Sequence, residues 1–250
     1  QRACHPNGMR YSHQAYAVGE HIYFIGGHGP HDYNHRYTPN SNSWNNMACI
    51  IGPDGRCNGR YCARGGVVDG LIYVGKGRMR NGGGTRSMVR YDPANNSWRR
   101  MSDAARNGTE FNAGVLGPHI YFAGGNVEGQ GSPSRYVERY DTRNDNWSRM
   151  PDTPDARGNA AVYGGPDGRM YFINGTESAG LGCGNCPTDG WAFNPRTNNW
   201  EGIRNSPNGG FYPGMGILGN ELIVSSGEGR GGTVNAYTFP GKAYWLYKKN

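Results

Sequence analysis

The feature that most constrains this chain is an internal repeat of about fifty residues, which occurs five times. Each copy contains a short apolar segment: HIYFIGG, LIYVGKG, HIYFAGG, RMYFING or ELIVSSG. With Ile22, Ile72, Ile120, Met170 and Leu222 as equivalent positions, successive copies are 50, 48, 50 and 52 residues apart. Repeats of this length stack one supersecondary unit on the next, so one architecture must account for nearly the whole chain.

A second mark follows each apolar segment after a gap. The segments SNSW, NNSW, NDNW and TNNW end on Trp44, Trp98, Trp147 and Trp200, and the fifth copy ends in AYWLY, with Tyr244 or Trp245 in the place of the tryptophan. Each copy offers four short runs rich in Tyr, Ile, Val and Phe, separated by Gly, Asn, Asp and Pro. That pattern is typical of strands joined by turns. We expect a hairpin turn at DPANNSW and a tryptophan packed between neighbouring sheets.

The paired glycine, the tyrosine of RYDP and the spaced tryptophan resemble the kelch motif, whose family fold is a β-propeller with one blade per repeat. The resemblance implies an all-β, five-bladed kelch-type β-propeller with four antiparallel strands per blade, as a single domain over residues 1–250. The blades are expected at approximately 9–48, 60–102, 106–151, 157–204 and 211–250. The glycine pair is broken by Lys76 in the second copy, and the fourth and fifth copies have Asn174-Gly175 and Ser226-Gly227.

The composition favours a secreted, extracellular protein. No apolar stretch is long enough to span a bilayer, and the chain begins at Gln1, as a processed secreted protein does. Six cysteines allow fifteen pairings; proximity favours Cys57 with Cys62, Cys183 with Cys186, and Cys4 with Cys49. A redox or zinc motif is the alternative for Cys183 and Cys186, and disulfides are favoured over it because no second CxxC occurs. Glycosylation acceptor sequences occur at Asn95, Asn107, Asn146 and Asn174.

Arginines concentrate on the loops that enter the first strand of each repeat and on the loops between its second and third strands. Lys plus Arg less Asp plus Glu is 26 − 19 = +7. A guanidinium group binds carboxylate, sulfate or phosphate through a planar fork, and several together focus a positive potential. The predicted ligand-binding residues are Arg10, His13, Arg60, Arg64, Arg106, Arg157, Tyr212, Glu228 and Arg230. Nearby aromatic residues such as Tyr61 could stack on sugar rings. The alternative is that the arginines solvate the surface or pair with acidic residues to hold the blades together.

Histidines of the first repeat form a second cluster. His28, His31 and His35 lie within eight residues of one loop, so they are candidate ligands for zinc or copper. The spacing matches no known motif, and an extended strand would point alternate side chains apart. The carboxylates expected near the loop face are Asp32, Glu110, Asp155, Glu177, Asp189 and Glu228, and nothing in the sequence places two of them at a catalytic separation. No catalytic residue and no cofactor are predicted.

These observations predict a secreted, non-enzymatic, lectin-like protein that binds acidic or polyhydroxylated glycans. One alternative is a kelch-type module that binds a protein ligand. The other is a small metal-dependent enzyme, with Zn or Cu at the histidine cluster of the first repeat. Nucleic acid is not a predicted partner, because Lys/Arg-rich runs are absent.

Overall fold

The computed structural model describes residues 2–6, 12–29, 33–80, 82–127, 133–178, 186–210, 212–218, 221–225, 234–238 and 242–247. Strands, turns and loops account for these residues, and no helix occurs among them. The chain divides into two compact units: unit 1 comprises residues 1–109 and 142–147, and unit 2 comprises residues 110–141 and 148–250. The prediction of an all-β protein is confirmed for the described residues.

Unit 1 contains two four-stranded antiparallel sheets. Sheet 1 has the order β1-β2-β3-β4, with the strands Gln14–Val18, His21–Ile25, Asn34–Thr38 and Ser43–Asn46. Sheet 2 has the order β6-β7-β9-β10, with the strands Arg64–Val68, Leu71–Gly75, Met88–Asp92 and Ser97–Met101. The short strands β5 (Arg60–Tyr61) and β8 (Arg78–Met79) pair with each other, and β11 spans Gly108–Thr109.

Unit 2 contains the sheets of the remaining repeats. Sheet 3 has the order β12-β13-β15-β16, with the strands Asn112–Leu116, His119–Ala123, Val137–Asp141 and Asn146–Met150, and the boundary between the units falls within β16. Sheet 4 consists of β17 to β20, at Ala161–Gly164, Met170–Ile173, Gly190–Asn194 and Asn199–Ile203. Sheet 5 consists of β21 to β24, at Met215–Leu218, Glu221–Ser225, Val234–Thr238 and Lys242–Tyr247. The short strand β14 spans Asn126–Val127. The prediction of four antiparallel strands in each repeat is therefore confirmed.

The turn between the third and fourth strands has the predicted hairpin chemistry. Each of four repeats has one residue with positive φ two positions before its tryptophan: Asn42, Asn96, Asp145 and Asn198, with φ of 49°, 47°, 50° and 59°. Asn and Asp tolerate the left-handed region better than other non-glycine residues. The side chain of Asn96 also accepts a hydrogen bond of 2.7 Å from the Tyr91 hydroxyl. The tyrosine of RYDP and the turn asparagine are therefore parts of one hairpin.

The hydrophobic cores lie between sheets that follow one another within a unit. In unit 1, Tyr23 and Ile25 of sheet 1 belong to one buried cluster with Ile72 and Tyr91 of sheet 2, and Trp98 packs against it. In unit 2 a cluster that includes Met170, Phe172 and Phe193 has Trp200 at its margin, and another joins Ile173 to Leu222 and Val224. The predicted packing of the tryptophan between sheets is confirmed for Trp98 and Trp200.

Each of the four spaced tryptophans also forms a polar contact with a segment that precedes its own repeat. The indole Nε1–H of Trp98 donates to the Ala48 carbonyl over 2.8 Å, and the Ala48 N–H donates to Asn96 Oδ1 over 2.8 Å. We call this pair of bonds the tryptophan clasp. It recurs in full at Trp44 and Asn42 with Ala3 and at Trp147 and Asp145 with Ser102, and its indole bond recurs at Trp200 with Pro151. The clasped residues are small, and they lie one or two positions after a fourth strand or, for Ala3, ahead of the first repeat.

Candidate ligand-binding site

The loops that lead into the first strand of each sheet share an uncommon backbone conformation. Each has one non-glycine residue with φ between 51° and 62°: Ser12, Cys62, Glu110, Asn159 and Tyr212. A non-glycine residue held there costs on the order of 1–3 kcal/mol and requires support from its surroundings. Backbone bonds give that support: the Cys62 N–H donates to the Ser12 carbonyl over 3.3 Å, and the Tyr212 N–H donates to the Asn159 carbonyl over 3.0 Å. These entrance loops are therefore fixed in shape.

Arg60 of the second entrance loop lies in the interior of unit 1. Its side chain is fully buried, and its guanidinium group donates to three backbone carbonyls: Ser87 at 3.0 Å, Ile51 at 3.1 Å and Lys76 at 3.4 Å. Burial lowers the pKa of this guanidinium to about 10, although the attraction of Asp103 opposes that shift. The group remains charged at neutral pH and joins three chain segments.

Arg157 occupies the same place in the fourth repeat, with carboxylates added. Only 1% of its side chain is exposed, and it donates to Asp189 Oδ1 at 2.7 Å and to Asp155 Oδ2 at 3.3 Å, while Glu177 Oε1 lies 3.9 Å away. The guanidinium group also lies over the ring of Trp191, 4.6 Å from its centroid. The structure thus brings together three of the six carboxylates that the sequence predicts near the loop face.

The two buried arginines require a correction to the sequence-based prediction. Arg60 and Arg157 were predicted to contact a ligand from exposed loops, whereas their guanidinium groups bind backbone carbonyls in the interior. Arg157 donates to the Asn174 carbonyl over 3.3 Å, as Arg60 does to that of Lys76. Lys76 and Asn174 have positive φ, of 56° and 58°, at the place of the first glycine of the pair. The two arginines therefore help to stabilise the backbone where Lys76 and Asn174 replace the first glycine of the pair.

The short pair β5–β8 divides the second entrance loop into a buried and an accessible face. Arg60 is opposite Met79 and both are buried, whereas Tyr61 is opposite Arg78 and both are partly exposed. Residues directly opposite each other on antiparallel strands have their side chains on the same face. The exposed ring of His28 stands edge-on to Tyr61, with centroids 5.3 Å apart. We call Tyr61, Arg78 and His28 the Tyr61–Arg78 surface.

The other predicted ligand-binding residues have different surroundings. Arg64, partly exposed at the start of β6, donates to the Ala63 carbonyl over 2.9 Å. Arg106 is exposed, and its carbonyl accepts a bond of 2.7 Å from the Lys76 ammonium group. His13 contacts the Phe24 ring, with centroids 5.8 Å apart. Tyr212 is the positive-φ residue of its entrance loop, and Arg10, Glu228 and Arg230 lie outside the described residues.

The predicted histidine cluster has two described members with different neighbours. His28 contacts Tyr61, whereas His35 is buried in β3, where its Nδ1 lies 2.9 Å from Nε2 of His5 and its ring stacks on Tyr33. His31 lies outside the described residues. Within the described part of the chain, no group of three or more His, Cys, Asp or Glu side chains is arranged to hold a metal ion. Burial, and to a smaller extent the nearby His5, lowers the pKa of His35.

Comparison with known proteins identifies the repeat. The profile of a family described as "Kelch motif" matches residues 108–154. The repeat is of the kelch type. A solved structure titled "Structure of YjhT" aligns with a TM-score of 0.74, covering 98% of this chain and 82% of that chain at 16% identity, and this likeness concerns the fold. Among curated proteins, none matches the sequence significantly.

One disulfide of this kelch-repeat chain differs from the predicted pairing. Cys49 is bridged to Cys57, with their Cα atoms 5.6 Å apart. The predicted pairs Cys57–Cys62 and Cys4–Cys49 are therefore wrong. The loop between sheets 1 and 2 folds back on itself, with the Asn58 N–H donating to the Ile50 carbonyl over 3.1 Å, and this return brings Cys57 beside Cys49.

The remaining cysteines have other environments. Cys62 is buried in its entrance loop, and Cys4 carries an exposed free thiol. Cys186 is disulfide-bonded, while its predicted partner Cys183 lies outside the described residues. No helix in the described ranges is long and apolar enough to cross a membrane.

Proposed function

We propose that this kelch-repeat protein is a secreted, non-enzymatic recognition protein that binds acidic or polyhydroxylated glycans, and that the Tyr61–Arg78 surface is its contact site. Kelch-type repeats support a binding module. The single observation that carries the proposal is the β5–β8 register, which sets an aromatic ring and a guanidinium group side by side on the accessible face. The proposal therefore moves the site from Arg60 to the residue beside it.

The chemistry of these three side chains suits an acidic sugar. A guanidinium group forms two parallel hydrogen bonds to a carboxylate or sulfate, and an aromatic ring offers a flat apolar plate to a sugar ring. The second ring, that of His28, stands edge-on to Tyr61 and adds a polar group. Because Arg60 anchors the other face of β5 through three carbonyls, the Tyr61 backbone is held in place. A pre-ordered site of this kind loses little entropy when it binds.

The charge of unit 1 around this surface supports an anionic ligand. Arg80 and Arg106 are exposed near the same strands, and Arg86 is 60% exposed even though it pairs with Asp103 at 3.4 Å. With a net charge of +7 for the whole chain, these arginines would raise the local concentration of an anion and its association rate. Both effects weaken as salt screens exposed charges.

Two further parts of the proposal concern the whole protein. The bridge Cys49–Cys57 and the oxidised Cys186 support an oxidising, extracellular location. Glycosylation is proposed at Asn95 and Asn146, which are exposed, but not at the buried Asn174, whose amide donates to the Asn208 carbonyl.

We also propose that the five repeats are the five blades of one propeller. The four-stranded sheet in each repeat and the likeness to a solved structure over 98% of the chain support this arrangement.

A glycan array tests the proposed ligand class. Sulfated, uronic-acid, sialylated and neutral sugars are presented side by side to the native protein and to Tyr61→Ala, with Tyr163→Ala, at a partly exposed tyrosine of sheet 4, as the control. We expect acidic sugars to bind the native protein and the control, and to bind Tyr61→Ala at least about fivefold more weakly, since a lost stacking contact costs about 1 kcal/mol.

A blank array or equal binding by Tyr61→Ala would contradict the proposal, and binding to neutral sugars alone would narrow it to polyhydroxylated ligands. If no sugar on the array binds, a glycan ligand is excluded and the protein-binding alternative is left. A pull-down in excess glycan then tests that alternative. Binding to neutral sugars alone would show that Arg78 does not bind a carboxylate or sulfate of the ligand. Equal binding by Tyr61→Ala would place the glycan elsewhere on the molecule.

A further inference from the structure

We propose that His5 and His35 form a two-histidine site for a divalent transition-metal ion, with Zn²⁺ as the first candidate, and that the ion fastens the segment Arg2–Pro6 to sheet 1. His5 lies ahead of the first repeat and His35 lies in β3, thirty positions later, so the folded chain brings together a pair that no local motif reveals. The site is independent of the Tyr61–Arg78 surface and of the proposed glycan ligand.

The distance between the two ring nitrogens is close to that of a metal-binding pair. Nε2 of His5 and Nδ1 of His35 are 2.9 Å apart and face each other, so that one donates a hydrogen bond to the other. Two imidazole ligands at about 2.0–2.1 Å from a tetrahedral Zn²⁺ have nitrogens about 3.3 Å apart. A separation of the nitrogens by about 0.4 Å, together with a tilt of the rings that turns both lone pairs towards one ion, would replace the hydrogen bond by two metal–nitrogen bonds. When the ion binds, the proton between the two nitrogens moves through solvent to the other nitrogen of its own ring, so that both imidazoles stay neutral.

The tryptophan clasp holds the His5 backbone in position for this role. Ala3, two residues earlier, donates its N–H to Asn42 Oδ1 over 2.7 Å and accepts the indole N–H of Trp44 over 3.1 Å. The side chain of Arg2 donates to the Pro39 carbonyl over 2.7 Å. In later repeats the same clasp holds a residue one or two positions after the preceding fourth strand, so Ala3 takes the place of a residue at the end of a preceding repeat.

Aromatic rings fix the orientation of both imidazoles. The His35 side chain is 3% exposed and stacks on Tyr33, with centroids 4.9 Å apart. The His5 ring stands edge-on to Trp44, with centroids 4.8 Å apart, and at 6.1 Å from the Phe24 centroid. Ligands whose rings are already oriented lose less freedom when a metal binds. His5 is only half-buried, so water has access to the metal on that side.

The donor set defines the class of metal. Two neutral imidazoles suit zinc, nickel, copper and iron, whereas calcium and magnesium require oxygen ligands. The described residues contain no group of three or more metal-binding side chains, so we propose two ligands from this part of the chain, with water completing the coordination. Such a site is exchangeable, and its affinities should increase from Co²⁺ to Ni²⁺, with Zn²⁺ also bound.

Calorimetric titration of the full oxidised chain with Zn²⁺ and Ni²⁺ tests the site. We expect one ion per chain, and a loss of affinity of more than about tenfold in His5→Gln, because even groups that only orient a ligand contribute about that much. His28→Gln removes an exposed histidine of the predicted loop cluster, and Cys4→Ser removes the neighbouring thiol; both should bind as the native chain does. Hydrogen exchange provides the second measurement, and Zn²⁺ should slow exchange of the Ala3 and His5 amides in the native chain alone.

Each contrary result is decisive. The proposal is overturned if no saturable binding occurs, or if His5→Gln binds the ion as well as the native protein does. A loss of binding in His28→Gln with retention in His5→Gln would assign the metal to the loop cluster instead. His35→Gln is a poor first test because His35 is buried and its loss affects packing. His5 is only half-buried and lies outside the sheets, so its replacement disturbs the packing less than that of His35 does.

Discussion

Replacement of the buried Arg60 by alanine should destabilise the protein strongly without acting on the ligand itself. The change removes the donors of the Ile51 and Lys76 carbonyls, while the Ser87 carbonyl keeps its bond from the Lys76 N–H. Each buried acceptor left without a donor costs about 1–3 kcal/mol. The cavity adds to this cost, and relief of the buried charge offsets part of it. We expect a loss of about 3–5 kcal/mol, or about 6–20 °C in the melting temperature of a chain of this size.

Thermal and urea unfolding of three variants measures the effect. Arg60→Ala carries the full cost, and Arg60→Met keeps most of the side-chain volume without a buried charge and should lose less than about 2 kcal/mol. Arg106→Ala, at an exposed arginine of the next entrance loop, should stay within about 0.5 kcal/mol of the native protein. The structural role would be refuted if Arg60→Ala unfolded like the native protein yet lost glycan binding, because that pattern belongs to a ligand contact.

Three further predictions concern the repeat and its bridge. Trp98→Phe should lower the free energy of unfolding by about 0.5–1.5 kcal/mol, the value of the lost clasp hydrogen bond, and an unchanged urea midpoint would remove the clasp as a stabilising contact. Mass spectrometry of non-reduced peptides should recover Cys49 linked to Cys57, and Cys49→Ser should cost about 2.5 kcal/mol for a closed loop of this length; a peptide linked by any other pairing would contradict the structure. In thermal melts, Gly125→Ala should be more destabilising than Gly117→Ala. Both glycines have positive φ, but only at Gly125 would a Cβ lie 2.5 Å from a backbone nitrogen. Equal melting temperatures of the two variants would argue against this close packing.

The fold could be predicted because its signals recur in every copy. A tryptophan seven positions after an aromatic residue of the third strand, repeated four times, excludes coincidence. The Asn or Asp two positions before each tryptophan recurs because it tolerates the positive φ of the turn. The details within each loop could not be predicted, because a loop residue has no periodic partner. The bridge between Cys49 and Cys57 depends on how one connecting loop folds back, and distance along the chain favoured Cys62 instead.

The sequence contains a signal for the burial of Arg60, namely its recurrence at one position of the repeat, but the many other loop arginines obscure it. Arg10, Arg60 and Arg157 each lie four residues before the first strand of a repeat, at Gln14, Arg64 and Ala161. Recurrence at one repeat position indicates a shared structural role, as it does for the tryptophan. Loop arginines are mostly exposed, and that prior favoured a ligand contact. His5 gave no such signal, because it lies outside the repeats and meets His35 only through the clasp at Ala3.

The most direct test of the central claim, an acidic glycan bound at the Tyr61–Arg78 surface, is the affinity of a sulfated or uronic-acid oligosaccharide at two salt concentrations. Native protein, Arg78→Ala and Arg99→Ala are compared, since Arg99 is an exposed arginine on β10 and both variants lose one charge. The account predicts binding that weakens with salt, a loss of about tenfold or more in Arg78→Ala, and near-native affinity in Arg99→Ala. Equal losses of affinity in the two variants would mean that net charge alone explains the effect. Native affinity in Arg78→Ala would contradict a binding site at the Tyr61–Arg78 surface.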